Sequence, residues 1–326
     1  MDFLLNPALP NVNPDWPGNP REGRRFREYD ERVDAGIGKV LRYMVTPNPQ
    51  AAEKRLDNFR PPVERGDLQT PGDWVCWLGH ATFLIQLGGV RILTDPVFWK
   101  IGLIPRLVAM PYDLAELGPL DYVLLSHDHR DHCDETSLRA LAERHDFRLL
   151  TTLEMTSLVA PWLARGQVVT EAAWYQRYDT TDVEITLMPT QHWCRRYLHD
   201  TNRRLWGAFV IRGAGRTIFF GADSAYSPHF AEVAAYFPDV DLAMIGIGAY
   251  QPAWMMQTAH TNPEQAWRGF EDTGARRLIP MHYGTYDLSR EPPGEPVTRI
   301  TNAAAHAGRA NDLTVAPVGK LIAIAN

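Results

Sequence analysis

The sequence has little cysteine, no long apolar run and no excess of positive charge. Its three cysteines, Cys76, Cys133 and Cys194, are widely spaced and form no Cys-x-x-Cys pair, which fits a reducing compartment better than a disulfide framework. No run reaches the roughly 18 apolar residues that a membrane span needs. The N-terminus also lacks a basic start followed by an apolar stretch. We therefore expect a cytoplasmic location.

The overall charge is acidic, with a formal net charge of -6 and a pI near 6.0. Such a balance gives no bulk attraction for DNA or RNA, so no nucleic-acid partner is expected. The chain has 326 residues, of which 45% are hydrophobic. This is enough material for a large core, in one extended domain or two.

Residues 1–70 differ in composition from the rest of the chain. They are rich in Pro, Asn, Arg and Glu, and Asn-Pro and Pro-Pro pairs interrupt any long element. We predict an extension packed on a body formed by residues 71–326. One apolar stripe at helical spacing is expected to contact the core, with a membrane-surface helix as the alternative. The stripe consists of Phe26, Val33, Ile37, Val40, Leu41 and Met44.

From residue 74 onwards, short apolar runs predict strands, and the Gly88-Gly89 turn joins two of them as a hairpin. Helical and strand patterns then alternate. Helices are predicted over 135–144, 153–163, 228–236 and 263–272, and late strands over 313–316 and 321–324. Because hairpins and helix-bearing units occur in both halves, the pattern predicts two mixed sheets packed together with helices outside.

Potential metal ligands are concentrated in the loop after the apolar run 122–125. The loop reads Ser126-His127-Asp128-His129-Arg130-Asp131-His132, and the whole chain has only eleven histidines. Asp134 accounts for part of the polarity as N-cap of the next helix. It does not account for three imidazoles. The His-x-His-x-Asp-His spacing indicates two metal ions in one pocket rather than one closed structural site.

The remaining ligands are expected at the ends of other strands, where loops would surround one edge of the sheets. The predicted site has a nitrogen face for one ion, a mixed face for the other and a bridging carboxylate, formed in that order by His127, His129 and His192, by Asp131, His132 and His282, and by Asp223. His80 and Asp95 also follow apolar runs and are expected to support the ligands by hydrogen bonds from behind.

Imidazole and carboxylate ligands without cysteine favour two zinc ions, and iron or manganese suits the same geometry. Water held between two such ions ionises near neutral pH. The resulting metal-bridging hydroxide is a nucleophile for an ester, an amide, a lactone or a phosphodiester. The sequence therefore predicts a metal-dependent hydrolase.

These residues resemble the signature of the metallo-β-lactamase superfamily, His-x-His-x-Asp-His followed by later His, Asp and His ligands. Further motifs between residues 74 and 290 resemble the branch of the N-acylphosphatidylethanolamine-hydrolysing phospholipase D. They are Trp77-Leu78-Gly79-His80-Ala81-Thr82, Leu93-Thr94-Asp95-Pro96, Gln191-His192-Trp193-Cys194, Leu205-Trp206-Gly207, Ile247-Gly248-Ala249-Tyr250 and His260-x-x-Pro263-Glu264. The chain departs from that branch at Gln251, where the phospholipase has an acidic residue, and at Gly221-Ala222-Asp223-Ser224, which replaces its Ala-Gly-Asp-Thr order. Neither change removes a proposed ligand.

The resemblance implies an α/β (α+β) fold, a four-layer αβ/βα sandwich with a dinuclear zinc site at one sheet edge. It implies Asp131 and His260 as catalytic residues. Asp131 would also be a ligand, and His260 would hold a phosphate oxygen or help to protonate the leaving group, unless it only caps a helix. Trp193, Tyr250 and Tyr283 are expected to line the substrate pocket, with plain packing as the alternative.

The activity implied by this branch is that of a phospholipase D-type phosphodiesterase acting on an N-acylphosphatidylethanolamine-like lipid diester. The alternatives are a lactonase resembling the ascorbate-phosphate lactonases, a nuclease, and a metal-binding scaffold without catalysis. The apolar segment 97–110, interrupted by Lys100 and Arg106, is expected to meet a membrane surface peripherally. A buried loop or a homodimer contact would explain it equally well.

Overall fold

The computed structural model describes residues 1–30 and 37–324, and three β-sheets lie within them. The strands are β1 (Asp2–Leu4), β2 (Asn19–Glu22), β3 (Arg25–Phe26), β4 (Trp74–Gly79), β5 (Thr82–Leu87), β6 (Val90–Thr94), β7 (Tyr122–Leu125), β8 (Arg148–Thr152), β9 (Val169–Ala172), β10 (Glu184–Met188), β11 (Ala208–Gly213), β12 (Arg216–Phe220), β13 (Leu242–Gly246), β14 (Arg277–Met281) and β15 (Leu321–Ala323). The helices are α1 (Ile37–Val45), α2 (Ala51–Leu56), α3 (Glu135–Ala142), α4 (Thr156–Val159), α5 (His229–Tyr236), α6 (Ala253–Met256), α7 (Pro263–Asp272) and α8 (Glu295–His306).

Two of the sheets pack face to face and form the body of the protein. The seven-stranded sheet has the order β15-β4-β5-β6-β7-β8-β9, and the five-stranded sheet runs from β10 to β14 in chain order. Side chains alternate across a strand. In β4, Cys76 and Leu78 pack with α3 and α4, whereas Val75 and Trp77 face the second sheet. Helices α5, α7 and α8 pack on that second sheet. The layers are therefore helices, sheet, sheet and helices, as predicted.

The strand directions bring the candidate ligands to one edge of the molecule. In the larger sheet β6, β7 and β8 are parallel, and β4 runs the same way because two antiparallel pairings separate it from β6. In the smaller sheet β12, β13 and β14 are parallel, and β10 runs with them for the same reason. The loops that follow the carboxyl ends of these strands carry all the proposed ligands. Open sheets commonly bind ligands at such an edge.

Some predicted elements differ from the observed ones. The helix expected over 153–163 contains only α4 and a 3-10 turn, Ala160–Trp162, because Pro161 has no N–H for a helical hydrogen bond. The strand expected over 313–316 is an isolated bridge between Leu313 and Leu278. Helix α8 was not predicted. Its buried face holds Pro296, Ile300 and Ala304, a pattern too weak in large apolar residues to stand out.

Hydrogen bonds between side chains and backbone help to hold the first thirty residues along the body. The Nδ2 of Asn6 donates to the carbonyl of Glu171 at 2.8 Å, and the N–H of Trp174 donates to Asn19 Oδ1 at 2.9 Å. The predicted apolar stripe does not form one helical face. Phe26 is buried on β3, so its expected core contact is confirmed, whereas Met44 on α1 is 74% exposed, so its expected core contact was wrong. Val33 and the side chains of Ile37, Val40 and Leu41 lie outside the described residues.

Among the helices of the described residues, none is both long and apolar enough to cross a bilayer.

Candidate metal centre

The loop between β7 and α3 is held in a tight turn that gathers its histidines. The backbone N–H of His132 and that of Cys133 both donate to the carbonyl of His129, at 3.1 and 2.8 Å. Asp134 caps α3 by accepting the N–H of Ser137 at 2.8 Å, as predicted. The turn and the cap together direct His127, His129, Asp131 and His132 to one side.

Three imidazole nitrogens converge at the first half of the centre. His129 Nδ1 lies 3.0 Å from His127 Nε2 and 3.2 Å from His192 Nε2. Tetrahedral zinc ligands at 2.0–2.1 Å from the ion are roughly 3.3 Å apart. The spacing of these three nitrogens therefore suits a single ion between them.

The second half contains Asp131, His132 and His282. Asp131 Oδ2 lies 3.7 Å from His132 Nε2 and 3.5 Å from His282 Nε2. His80 lies next to these three residues. Its Nε2 is 3.1 Å from Asp131 Oδ2 and its ring centroid is 4.0 Å from that of His282. His80 comes from the turn between β4 and β5, where it adopts a φ of 55°.

The carboxylate of Asp223 lies between the two halves. Its Oδ2 is 3.8 Å from His192 Nε2 on one side and 3.1 Å from His132 Nε2 on the other. Its Oδ1 is 3.2 Å from His282 Nε2. One carboxylate with both oxygens among the two sets of imidazoles has the position that a bridging ligand requires.

Buried atoms left without partners provide a test of whether these residues fit metal ions. In the described part of the chain, His132 Nε2, His282 Nε2 and Asp223 Oδ1 are buried and lack a partner with good hydrogen-bond geometry, although Asp223 lies close to both rings. A buried polar atom left unsatisfied costs about 1–3 kcal/mol. All three atoms point into the same small space, so the residues present fit a pair of metal ions that would satisfy them.

The outer nitrogens of the imidazoles are held by oxygen atoms. His192 Nδ1 lies 2.8 Å from the carbonyl of Ala259, and His132 Nδ1 lies 2.8 Å from Asp95 Oδ2. His127 Nδ1 is 2.8 Å from Ser126 Oγ, which donates to Asp95 Oδ2 at 2.6 Å. These bonds turn Nε2 inward, the arrangement common in zinc sites. Asp95 thus lies behind two of the candidate ligands, one directly and one through Ser126.

A buried ion pair anchors the same loop from outside. Arg204 Nη1 lies 2.8 Å from both Asp128 Oδ2 and Asp200 Oδ2. Asp128 stands between His127 and His129 in the sequence, so this pair fixes the backbone that carries two candidate ligands. Sequence inspection missed Arg204 because its partner is 76 residues away.

Electrostatics keep the central carboxylates charged. Burial alone would raise the pKa of Asp223, but His132, His282 and His260 outweigh it and hold the pKa well below its usual range. Burial likewise holds the pKa of His127 and of His192 well below that of a free imidazole. Neutral imidazole and ionised carboxylate are the forms that bind metal.

His260 and Trp193 lie beside the candidate ligands. His260 Nδ1 is 3.7 Å from Asp223 Oδ2, and burial lowers the pKa of His260 to about 4 although Asp223 opposes this. The ring centroid of Trp193 is 4.9 Å from that of His129 in an edge contact. Arg195 in turn lies over the Trp193 ring at 5.1 Å.

The two tyrosines expected in the pocket have other neighbours. The hydroxyl of Tyr250 donates to Glu295 at 2.6 Å, and the ring of Tyr283 stacks on Trp77 at 5.0 Å. Tyr286, which sequence inspection missed, instead contacts His80 edge to face at 5.2 Å. Its position four residues after His282 was the available signal, since a single turn separates them.

The segment 97–110 is partly buried and partly exposed. Val97, Ile101 and Tyr286 form a small apolar cluster, whereas Leu103 is 96% exposed. Beside this segment lies a cleft of about 1310 Å³ that extends to Arg130 in the loop between β7 and α3, called the metal loop below. Its apolar walls are Phe98, Trp99, Met110 and Leu114. The buried-loop alternative therefore accounts for only part of the segment.

Comparison with known proteins gives matches that extend over most of the body. Residues 90–283 match the family described as Beta-lactamase superfamily domain. An uncharacterised protein of Mycobacterium tuberculosis is 34% identical over 254 residues, which cover 75% of this chain and 67% of that protein. The N-acyl-phosphatidylethanolamine-hydrolyzing phospholipase D 1 of Caenorhabditis elegans is 30% identical over 271 residues, covering 76% of this chain and 75% of the enzyme.

A solved structure shows the same fold. The isothiocyanate hydrolase from Delia radicum gut bacteria superposes with a TM-score of 0.63 at 17% identity, over 77% of this chain and 98% of that one. At this identity the similarity concerns the fold alone.

Proposed function

The chain belongs to the β-lactamase superfamily and is a metal-dependent hydrolase, and from this premise we propose that it is a dinuclear zinc phosphodiesterase of the phospholipase D type. Its proposed substrate is an N-acylphosphatidylethanolamine-like lipid diester. The observation that carries the proposal is the position of Asp223, whose carboxylate lies between His192 on one side and His132 and His282 on the other.

The reaction class follows from the ligand set. Two ions bound there would supply a hydroxide nucleophile and polarise the phosphoryl oxygen. Neighbouring residues of the protein fix the orientation of the ligand imidazoles. Ser126, Asp95 and the carbonyl of Ala259 fix the outer imidazole nitrogens, so that the inner nitrogens need no reorganisation when substrate binds. Such preorganisation is a large part of catalysis.

His260 is the proposed phosphate-holding residue. It lies against Asp223 and packs on His192 and His282, with ring centroids at 5.2 and 5.3 Å. With a pKa of about 4, the imidazole is neutral near pH 7. A neutral imidazole can donate a hydrogen bond to a phosphoryl oxygen, and this suits it better to holding the phosphate than to releasing a proton to the leaving group.

Two arginines near the metal loop support an anionic substrate. Arg195 lies over Trp193, and Arg130, exposed between two candidate ligands, lines the cleft. Within the described residues neither guanidinium is paired with a carboxylate. The net charge of the chain is -6, so these two guanidinium groups are opposite in sign to the overall balance. They would attract an anionic phosphodiester.

A cleft next to the loop between β7 and α3 supports contact with a lipid. It holds about 1310 Å³ beside the segment 97–110 and is lined by Arg130 and Asp134 of that loop but by none of the proposed ligands, so it adjoins the metal centre and does not contain it. Trp99 and Leu103, exposed on the same segment, support peripheral contact with the lipid surface that presents such a substrate.

A hydrolysis panel with the zinc-loaded protein tests the proposal. The panel compares an N-acylphosphatidylethanolamine in mixed micelles, an aryl phosphodiester and a sugar lactone, with Asp223→Ala as inactive control. We expect both diesters to be hydrolysed and the lipid to have a kcat/KM at least roughly tenfold higher, because remote binding energy contributes to the rate.

Two other outcomes would favour the alternatives. Turnover of the lactone without turnover of either diester would identify a lactonase. Protein purified without chelator that holds less than one ion per chain, and hydrolyses nothing in added zinc, would support a metal-binding scaffold without catalysis. Asp131 and Asp223 are both present, so the carboxylates whose loss would have favoured the scaffold are in place.

A further inference from the structure

Ser224 joins three loops of the metal centre. It is buried and directly follows Asp223. Its Oγ accepts the backbone N–H of Gln191 at 2.9 Å, and its carbonyl accepts the N–H of Thr261 at 2.8 Å. Gln191 precedes one of the proposed nitrogen ligands, and Thr261 follows the proposed phosphate-holding histidine. The loops that carry the bridge, a ligand and this histidine are thus all bonded to one residue.

His229, at the start of α5, holds the hydroxyl of Ser224. Its Nε2 lies 3.2 Å from Ser224 Oγ and its Nδ1 lies 2.6 Å from Ser227 Oγ. The ring is fully buried against Phe230, at 4.1 Å between ring centroids. Burial lowers the pKa of His229 to about 3, so the imidazole is neutral and carries one N–H.

One placement of protons satisfies the whole network. The hydroxyl of Ser227 donates to His229 Nδ1, the Nε2–H of His229 donates to Ser224 Oγ, and Ser224 donates to the carbonyl of Ala225 at 2.8 Å. Each donor then has an acceptor. The opposite tautomer would leave the hydroxyl of Ser227 without an acceptor among the described residues. The network is therefore directional and leads from α5 to the loop of Asp223.

We propose that Ser224 and His229 are positioning residues that set the Asp223 carboxylate relative to His192 and His260. This inference rests on the proposed bridging role of Asp223. The Asp223 Oδ2 lies 3.8 Å from His192 Nε2 and 3.7 Å from His260 Nδ1. A movement of the Ser224 loop changes both distances at once. The pair touches neither substrate nor ion, and acts through the bridge.

The test compares Ser224→Ala, Ser224→Thr and a matched control, Thr273→Ala. Thr273 is also buried, and its Oγ1 accepts a backbone N–H and donates to a backbone carbonyl, but it lies at the end of α7 away from the site. The primary readouts are the zinc dissociation constant, obtained by competition with a chelator, and the visible spectrum of the Co²⁺-substituted protein. The melting temperature of the metal-free protein reports the structural cost.

We expect Ser224→Ala to weaken zinc binding by roughly 10- to 100-fold, the usual effect of losing a residue that orients metal ligands, and to alter the Co²⁺ spectrum. Ser224→Thr keeps the hydroxyl and restores both. Thr273→Ala lowers the melting temperature alone. If Ser224→Ala changes only the melting temperature, as Thr273→Ala does, the positioning role is wrong. If the unmodified protein binds no zinc, the proposed function itself fails.

A second pair of variants keeps the inference testable if Ser224→Ala does not fold. His229→Phe removes both ring nitrogens at similar size, whereas His229→Gln keeps a donor at the place of Nε2. We expect His229→Phe to weaken zinc binding and His229→Gln to recover most of the affinity. Equal zinc affinity in the two variants would show that the imidazole serves packing only and would overturn the proposal.

Discussion

The two halves of the candidate metal centre differ in chemistry although Asp223 lies between them. His127, His129 and His192 offer nitrogen alone, and the pKa of His192 is held well below normal by burial although Asp223 opposes it. Burial also acts on His282, but Asp223 and Asp131 outweigh it and raise its pKa to about 9. In the first half burial favours neutral imidazoles, whereas in the second half two carboxylates lie against the imidazoles and favour a positively charged group beside them.

Asp223 is the residue that both halves share, so its replacement is expected to have the largest effect. Asp223→Ala removes the carboxylate from both halves, so we expect hydrolysis of every substrate to fall to the uncatalysed level and metal content to drop in both halves. Measurements are turnover of an aryl phosphodiester and metal per chain by elemental analysis. Asp241→Asn is the control, because Asp241 is also buried but bonds to the N–H of Thr217 and to Arg276. Retained turnover in Asp223→Ala would contradict the dinuclear site.

Asp131 and His129 each belong to one half alone, so replacing them separately shows whether the two halves bind metal independently. Asp131→Ala removes the carboxylate that belongs to the mixed half alone, and His129→Ala removes a nitrogen from the other half. We expect each variant to keep a single ion in its intact half, with different Co²⁺ spectra, because one set of ligands is all nitrogen apart from the bridge and the other is not. Identical spectra, or the loss of both ions in both variants, would show that the halves do not bind independently.

Part of the candidate site could be predicted from the sequence. His192, Asp223 and His282 were predicted from their positions after apolar runs, because strands of one direction end at one edge of a sheet. The place of His80 beside Asp131 could not be predicted, since it depends on a turn with a positive φ. Tyr250 and Tyr283 follow the same kind of apolar run. Their ring directions depend on Glu295 and Trp77, distant in sequence.

His260 lies at the junction of the two halves, and its replacement is expected to slow hydrolysis without removing metal. We expect His260→Asn to lower kcat roughly 10²-fold, the range for loss of one positioned hydrogen-bonding or proton-transfer group, while metal content stays unchanged. The readouts are kcat for the lipid and aryl diesters and elemental analysis. His306→Asn, on the exposed end of α8, is the control and should behave as the unmodified protein. Loss of metal in His260→Asn would show that His260 is itself a ligand.

Arg195 lies outside the half formed by His127, His129 and His192. Its replacement is expected to have the smallest effect on hydrolysis. Because its guanidinium lies over Trp193, which packs on His129, removing the charge should weaken encounter with an anionic substrate and leave the ions in place. We expect Arg195→Leu to raise KM for the phosphodiesters by roughly 3- to 10-fold at low salt, with kcat nearly unchanged.

The dependence of KM on salt shows whether Arg195 acts through its charge or through its packing on Trp193. Near 0.1 M ionic strength the screening length is about 10 Å, so the difference between Arg195→Leu and the unmodified protein should shrink as salt increases. Arg165→Leu is the control, because Arg165 is exposed and precedes β9, at the opposite edge of the sheet. A KM change that persists in high salt would mean that Arg195 acts by supporting the Trp193 ring. Attraction of the anionic substrate would then come from the bound metal ions and not from the charge of Arg195.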